Sequence, residues 1–492
     1  MTAASSDSVV SRAAVAPDAP KLRVLEATFL ERPVRLRLPF RFGVVTLREA
    51  PQAFVRVRVR TADGREGEGI TAELLVPKWF DKSPDLSNED NFDQLRRALA
   101  MARDHYLAAG PDTAFGLSAG LEPSYRAACA AAGLNDLVAS FGLAELDRAI
   151  LDALARLDRA PAFALVAANR IGLTTRPAPD LAGFDLDGFL RGLAPSPSIF
   201  VRHTVGMVDA LTRAETLGHH LDDGLPESLE EVIEAYGHRH FKLKVSGDAG
   251  ADINRLCGIA AVLDRISDPY VVTLDGNEQY QTVEAAVALW RRMGEEPRLA
   301  RLVASTLHIE QPITRARALS EPVHALADLV PVEVDESDCD IDVFPRARAL
   351  GYRGVSAKSC KGIYRALLNR ARVAHWNAAE RAAGRDGRFF MSAEDLTTQA
   401  GVAVQQDLAL ATLVGVRHVE RNGHHYVDGM AGASEEEQAR VLAAHPDLYA
   451  RSHGRVRLAI RGGAVALGSL AAVPGLAVGA MPDWASMRPM PM

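Results

Sequence analysis

Five apolar runs, each closing on a charged residue, follow one another through the second half of the chain. They are His240-Phe241-Lys242-Leu243-Lys244, Leu274-Asp275, Ile309-Glu310, Val334-Asp335 and Ala357-Lys358. Their charged ends stand 31, 35, 25 and 23 residues apart. Helical periodicity fills the gaps: Ile253, Leu256, Cys257, Ala260 and Leu263 form one stripe, and Val283, Ala286, Val287, Trp290 and Met293 a second. Strands alternating with such helices imply parallel βαβ units. Eight strands are expected, near 200–206, 240–245, 271–275, 306–310, 331–335, 353–358, 388–393 and 415–420. A barrel of about 250 residues with eight units averages roughly 31 residues per unit. An open doubly wound sheet would want a GxGxxG turn after its first strand, and none is present.

In a parallel barrel the C-terminal strand ends gather on one face. The charged residues would therefore converge. Asp275, Glu310 and Asp335 offer hard oxygen ligands, which suit Mg²⁺, with Mn²⁺ as the substitute. No His pair or Cys cluster makes a case for zinc in the same place. Lys242 and Lys244 share one face of their strand. Two ammonium groups so placed repel unless something anionic or a metal–carboxylate cluster justifies them.

The pattern suits removal of a proton beside a carboxylate. The resulting enediolate needs positive charge on its oxygens, and a metal ion supplies it. Burial and neighbouring cations can lower a lysine to roughly 7–8, where it serves as a general base. Lys244, from the second strand, and Lys358, from the sixth, stand across the barrel mouth as the catalytic pair. Lys242 polarises. Two other chemistries remain open on these residues: a non-catalytic metal-binding barrel, and a metal-assisted aldolase or hydrolase.

The rest of the chain sets the frame. Phe54-Val55-Arg56-Val57-Arg58-Val59-Arg60 alternates with the period of a half-exposed strand, and Ala62-Asp63-Gly64 predicts a turn. Residues 90–160 are helical in pattern, so an α+β unit precedes the barrel. The Pro- and Gly-rich stretch 172–198 reads as an insertion or linker, and the tail 455–476 as a closing hairpin. A net charge of −7 and a pI near 6.1 argue against nucleic acid or an anionic membrane as partners. Four scattered cysteines fit reduced thiols and a cytoplasmic protein. Of the remaining polar residues, His203 at the first strand's end and Glu394 after the seventh are candidate substrate contacts. Asn422-Gly423-His424-His425 offers no chelating pair, because adjacent side chains point apart.

The ordered set resembles the enolase superfamily, and within it the muconate-lactonizing (muconate cycloisomerase) subgroup of the mandelate racemase/muconate lactonizing enzymes. Lys242-Leu243-Lys244 is similar to that subgroup's lysine-x-lysine strand, and Asp275-Gly276-Asn277 to its aspartate-x-asparagine element. Glu310-Gln311-Pro312 and Asp335-Glu336-Ser337 resemble the next two ligand strands, and Lys358 stands at the opposite-face lysine. Ser359-Cys360-Lys361-Gly362 replaces the usual twin glycine, which brings Lys361 into competition with Lys358.

The resemblance implies an α/β fold: a TIM-type (β/α)7β barrel with an N-terminal α+β capping domain. The implied division is a disordered leader over 1–21, a capping domain over 22–160, the barrel over 161–440, and a segment over 441–492 packing back on the capping domain. It implies Mg²⁺ held by Asp275, Glu310 and Asp335, catalytic Lys244 and Lys358, and substrate contacts from Lys242, Asn277, His203 and Glu394. Phe42 to Thr46 and Val76 to Lys82 become lid loops. The expected enzyme is an isomerase or lyase (racemase or epimerase, cycloisomerase or dehydratase) acting on a small carboxylate, as a homo-oligomer.

Overall fold

The computed structural model describes residues 19–43 and 45–491. The expected leader lies outside the described residues except for Ala19, Pro20 and Lys21, and so does Val44 of the first lid loop. The chain opens with an antiparallel sheet of β1 (Leu22–Phe42), β2 (Val45–Thr61) and β3 (Glu66–Leu74). The alternation in β2 is the cause of its two-faced character. Val55, Val57 and Val59 are buried, while Arg56, Arg58 and Arg60 pair on the open face with Glu68, Glu26 and Glu66. The turn at Ala62-Asp63-Gly64 joins β2 to β3, with Gly64 at φ +90°.

Three helices pack on the sheet: α1 (Asn88–Ala108), α2 (Ala114–Ala131) and α3 (Asp136–Leu157). Ser87 caps α1 with a reciprocal Asp90 bond, and Asn135 caps α3. In α3 every residue from Leu137 to Ala155 is buried, so this helix is enclosed on all sides. Gly69 of β3 lets the two backbones meet. A Cβ there would lie 2.0 Å from the Ala149 carbonyl oxygen.

The eight expected parallel strands are present: β4 (Ser198–Val205), β5 (His240–Lys244), β6 (Val271–Asp275), β7 (Thr306–Glu310), β8 (Val332–Val334), β9 (Gly354–Ala357), β10 (Phe390–Ala393) and β11 (His418–Arg421). They hydrogen-bond in the order β10-β9-β8-β7-β6-β5-β4-β11. This is the barrel sequence of neighbours, but the sheet is curled rather than closed. Among the described residues no backbone ladder joins β10 to β11. Side chains bridge that seam: Glu420 Oε2 accepts from Asp395 N at 3.1 Å, and Asp395 Oδ2 accepts from Asn422 N at 3.0 Å.

The tail differs from the expected single hairpin. Its first part, β13 (Arg455–Leu458), pairs backwards with β12 (Tyr449–Ser452), and β14 (Ala464–Ala466) adds antiparallel to the start of β4. Still further on, β15 (Arg488–Pro489) pairs with β1. The stretch 172–198 is not a bare linker. It carries a short helix, Leu186–Arg191, and Asp180 receives two bonds from the buried Arg372. No described helix is long and apolar enough to cross a membrane.

Candidate active site

The barrel interior at the strand ends is polar and buried. Alternation along each strand decides which side chains enter it. On β5, Lys242 and Lys244 both face inward and are buried. Lys242 Nζ lies 2.8 Å from Asp275, 2.6 Å from Glu310, 2.6 Å from Glu394 and 3.0 Å from Glu420. Lys244 Nζ donates to Asp275 Oδ2 at 2.5 Å. At the far side, Lys358 Nζ donates to Asp335 Oδ2 at 2.7 Å and stands 3.8 Å from Glu310. Lys361 is drawn to the same carboxylate, 3.2 Å from Asp335 Oδ1, and also donates to Ser356 Oγ at 2.9 Å. Since β5 and β9 are four places apart in the sheet order, Lys244 and Lys358 come from opposite sides of the mouth.

The three carboxylates do not stand level. Register sets Lys244 beside Asp275, and Asp275 beside Glu310, but Glu310 beside Glu333. Asp335 sits two residues further on and so one layer higher. The oxygens that come within 4.8 Å of one another belong to Glu310, Glu333 and Glu394. Asp275 and Asp335 stand outside that group, each drawn onto lysines. The three carboxylates therefore form a stepped arrangement, because the register between strands shifts along the barrel.

These contacts dictate the charge states. Burial pushes the Glu310 carboxyl well above its usual range, and Asp275 and Glu394 push it the same way. Burial also works against the Asp335 carboxylate, but Lys358, Lys361 and Lys242 outweigh it and hold it well below that range. Burial disfavours the Lys358 ammonium, yet Asp335 and Glu310 overcome both burial and the repulsion from Lys242, and the group is held above the ordinary lysine value. Lys242 is raised likewise, by Asp275, Glu310, Glu394 and Glu420 against burial. The expected lowering is thus reversed at Lys358: carboxylate neighbours dominate over the second cation.

The donor set fits a hard divalent cation. Neither Glu310 oxygen receives a well-aligned hydrogen bond among the described residues, and the buried Asn277 Oδ1 and Glu336 Oε2 are also unpaired. A cationic group already sits between Asp275 and Glu310, at contact distance from both: the Lys242 ammonium.

A narrow pocket opens above these residues. Lys242, Lys244, Asp275, Asn277 and Lys358 line it below, and Phe40, Phe42, Val76 and Trp79 roof it. The Trp79 ring covers Lys358 Nζ at 4.9 Å from the centroid. Arg315 seats the roof by donating to the Trp79 and Phe80 carbonyls at 2.8 and 2.9 Å. Lys82 adds a bond to the Asn277 carbonyl at 2.8 Å.

Two expected substrate contacts are placed elsewhere. Glu394 is engaged below the pocket by Arg202 and Lys242. His203 faces outward. On β4 the inward residues are Arg202 and Thr204, which reach Glu394 and Glu420. His203 packs instead against His238, His424 and His425, and burial followed by those three rings holds it well below its usual range, hence neutral. Its alternation with Ile199, Val201 and Val205 was the available signal, since outward barrel positions are apolar. The sequence reading missed Arg202, Glu333 and Glu420; stepping back by two from Asp335 would have found Glu333.

No family model matches the sequence, and no curated protein matches it. Solved structures do. A Bradyrhizobium enolase complexed with magnesium and mandelic acid is 15% identical with a TM-score of 0.58, over 95% of this chain and 97% of that one. A mandelate racemase/muconate lactonizing enzyme from Bordetella bronchiseptica is 18% identical with a TM-score of 0.56, over 95% and 98%. A dipeptide epimerase from Enterococcus faecalis, complexed with Mg and L-Leu-L-Tyr, is 13% identical with a TM-score of 0.56, over 93% and 99%. Likeness over nearly the whole of both chains shows the fold: the chain shares the fold of these solved enolase and mandelate racemase/muconate lactonizing enzyme structures.

Proposed function

We propose that the chain is a Mg²⁺-dependent enzyme that removes the proton α to a carboxylate, a racemase, epimerase, cycloisomerase or dehydratase of the muconate-lactonizing kind. The observation that carries this reading is the facing pair, Lys244 and Lys358, at opposite sides of one small pocket with Asp275 between and below. Asp275, Glu310 and Asp335 would hold the ion. When bound, Mg²⁺ supplies positive charge beside the substrate's carboxylate oxygens and competes with the lysines for the protein's carboxylates.

The side chains divide the remaining work. Lys358 is held protonated, so it serves as the acid or electrostatic partner on its face. Lys244 then takes the proton from the other face. Lys242 stays charged among four carboxylates and fixes their positions. Asn277 lines the wall, and Phe40, Phe42 and Trp79 exclude water, which strengthens each charge inside.

The test is solvent deuterium uptake at the α-carbon across a panel of carboxylates in D₂O with Mg²⁺. Uptake should occur in the unaltered protein and vanish in Lys244→Ala and Lys358→Ala while the fold persists by circular dichroism. Uptake surviving in both variants would remove the lysines from the chemistry.

A further inference from the structure

Outside the barrel, on the outer face of β4, three histidines from three separate elements meet. His203 comes from β4, His238 from the turn before β5, and His424 from the helical turn Gly423–Tyr426 that follows β11. One ring nitrogen from each lies within 4.8 Å of the others. We propose that His203, His238 and His424 form a second metal site, separate from the barrel carboxylates, that takes a borderline transition-metal ion of the Zn²⁺ class.

The geometry is that of a ligand set. Tetrahedral zinc with Zn–N of about 2.0–2.1 Å places its ligand nitrogens about 3.3 Å apart. His203 Nδ1 and His424 Nε2 are 3.2 Å apart, joined by a hydrogen bond that a bound ion would replace. A ligating imidazole commonly donates its other N–H to a backbone carbonyl, which fixes tautomer and ring. His238 does this: its Nδ1 meets the Val201 carbonyl oxygen at 3.2 Å. That leaves Nε2 as the lone-pair nitrogen. It is buried and has no partner among the described residues. The His238 ring lies 5.3 Å from that of His203 and 5.2 Å from that of His424, so the unpaired nitrogen has company rather than apolar packing. Imidazole is a borderline donor, suited to Zn²⁺ and poorly suited to Mg²⁺.

Tyr236 touches both His238 and His424 and also lines a surface groove with Pro226, Glu231 and Ser452, so the cluster lies one ring behind that groove. Bound there, the ion would tie the segment after β11 to β4 and to the turn before β5. That segment begins at Asn422, beside the seam where β10 and β11 share no ladder. The role inferred is a structural clamp on the barrel closure.

Co²⁺ serves as the spectroscopic probe, added to full-length protein saturated with Mg²⁺. One equivalent should give the intense visible band of tetrahedral cobalt. The band should be lost in His203→Ala and His238→Ala and kept in Asp335→Asn, which alters only the barrel site. Absence of the band from the unaltered protein, or its persistence in both histidine variants, would overturn the proposal. Should the histidine variants fail to fold, X-ray absorption of the unaltered Zn²⁺-loaded protein decides. Three imidazoles at about 2.0 Å support the site, and an all-oxygen shell sinks it.

Discussion

Lys242 is the group whose loss the structure makes most costly. Its Nζ lies between 2.6 and 3.0 Å from four carboxylates. In Lys242→Met three of them keep other partners. Asp275 retains Lys244 at 2.5 Å, Glu394 retains Arg202, and Glu420 retains the Thr204 hydroxyl at 2.6 Å. Among the described residues Glu310 retains only Lys358, at 3.8 Å. Removing one partner of a buried ion pair costs about 3–5 kcal/mol. Against a total stability of roughly 5–15 kcal/mol, that brings the variant near its limit at pH 7.

Glu310 can escape by taking up a proton, and its affinity for one is already raised by burial, Asp275 and Glu394. A carboxyl raised in the folded state favours folding fully below its unfolded pKa, and that contribution is lost as pH rises through the folded pKa. Proton uptake by Glu310 makes the variant's deficit shrink as pH falls from 8 towards 5, while Asp275 and Glu394, held below the usual carboxylate range by their cations against burial, stay ionised. Urea denaturation of the two proteins over that range, in chelator, measures it. Mg²⁺ should also narrow the gap, since it restores positive charge among the same oxygens. Lys244→Met is the control and should cost less, because Asp275 keeps Lys242 at 2.8 Å. A deficit below about 1 kcal/mol at pH 7, outside the buried-pair range, or one that is flat with pH, would refute the reasoning.

Asp147 is pushed up to about 7 by burial, against the hydroxyls of Tyr106 and Ser118 that donate to it. It therefore withdraws about 4 kcal/mol of stability as pH climbs from the ordinary carboxylate range to 7, and Asp147→Asn should flatten the melting temperature against pH between 5 and 8. Gly69→Ala drives a Cβ to 2.0 Å from the Ala149 carbonyl oxygen and 2.3 Å from Ala153 N. Separating β3 from α3 should cost about 1–3 kcal/mol or more, read as a lowered melting temperature. Arg315→Met removes both bonds to the Trp79 and Phe80 carbonyls. Arg315 also pairs with the buried Glu278, at 2.8 Å from Oε2, so the roof should loosen, with faster proteolysis near Trp79 and a lowered melting temperature.

How far the sequence could be read depends on which quantity fixes each feature. Strand positions were legible because apolar runs and helical stripes are local patterns, and the observed strand spans follow them closely. Convergence of Lys244, Asp275, Glu310 and Lys358 was legible because parallel topology alone gathers the strand ends. Level within the barrel was not, since it depends on register between strands that are remote in sequence. Between β6 and β7 the pairing slips from Val272–Thr306 to Leu274–Ile309, an irregularity that brings Glu310 beside Asp275. Without that extra residue Ile309 would stand there, and Glu310 would point away. No comparable slip follows on β8, so Glu310 meets Glu333, and Asp335 is left one step up with Ser356, Lys358 and Lys361. Facing was half legible. At Val201-Arg202-His203-Thr204-Val205 the polar run hides the alternation, and only the flanking valines reveal that His203 belongs to the outer, apolar set. Charge state was beyond reach, because the Lys358 ammonium is decided by the distance to Asp335 and not by any property of the lysine's own strand. A slipped register between β6 and β7 thus steps the carboxylates, and the outward side of β4 sets the histidines behind them.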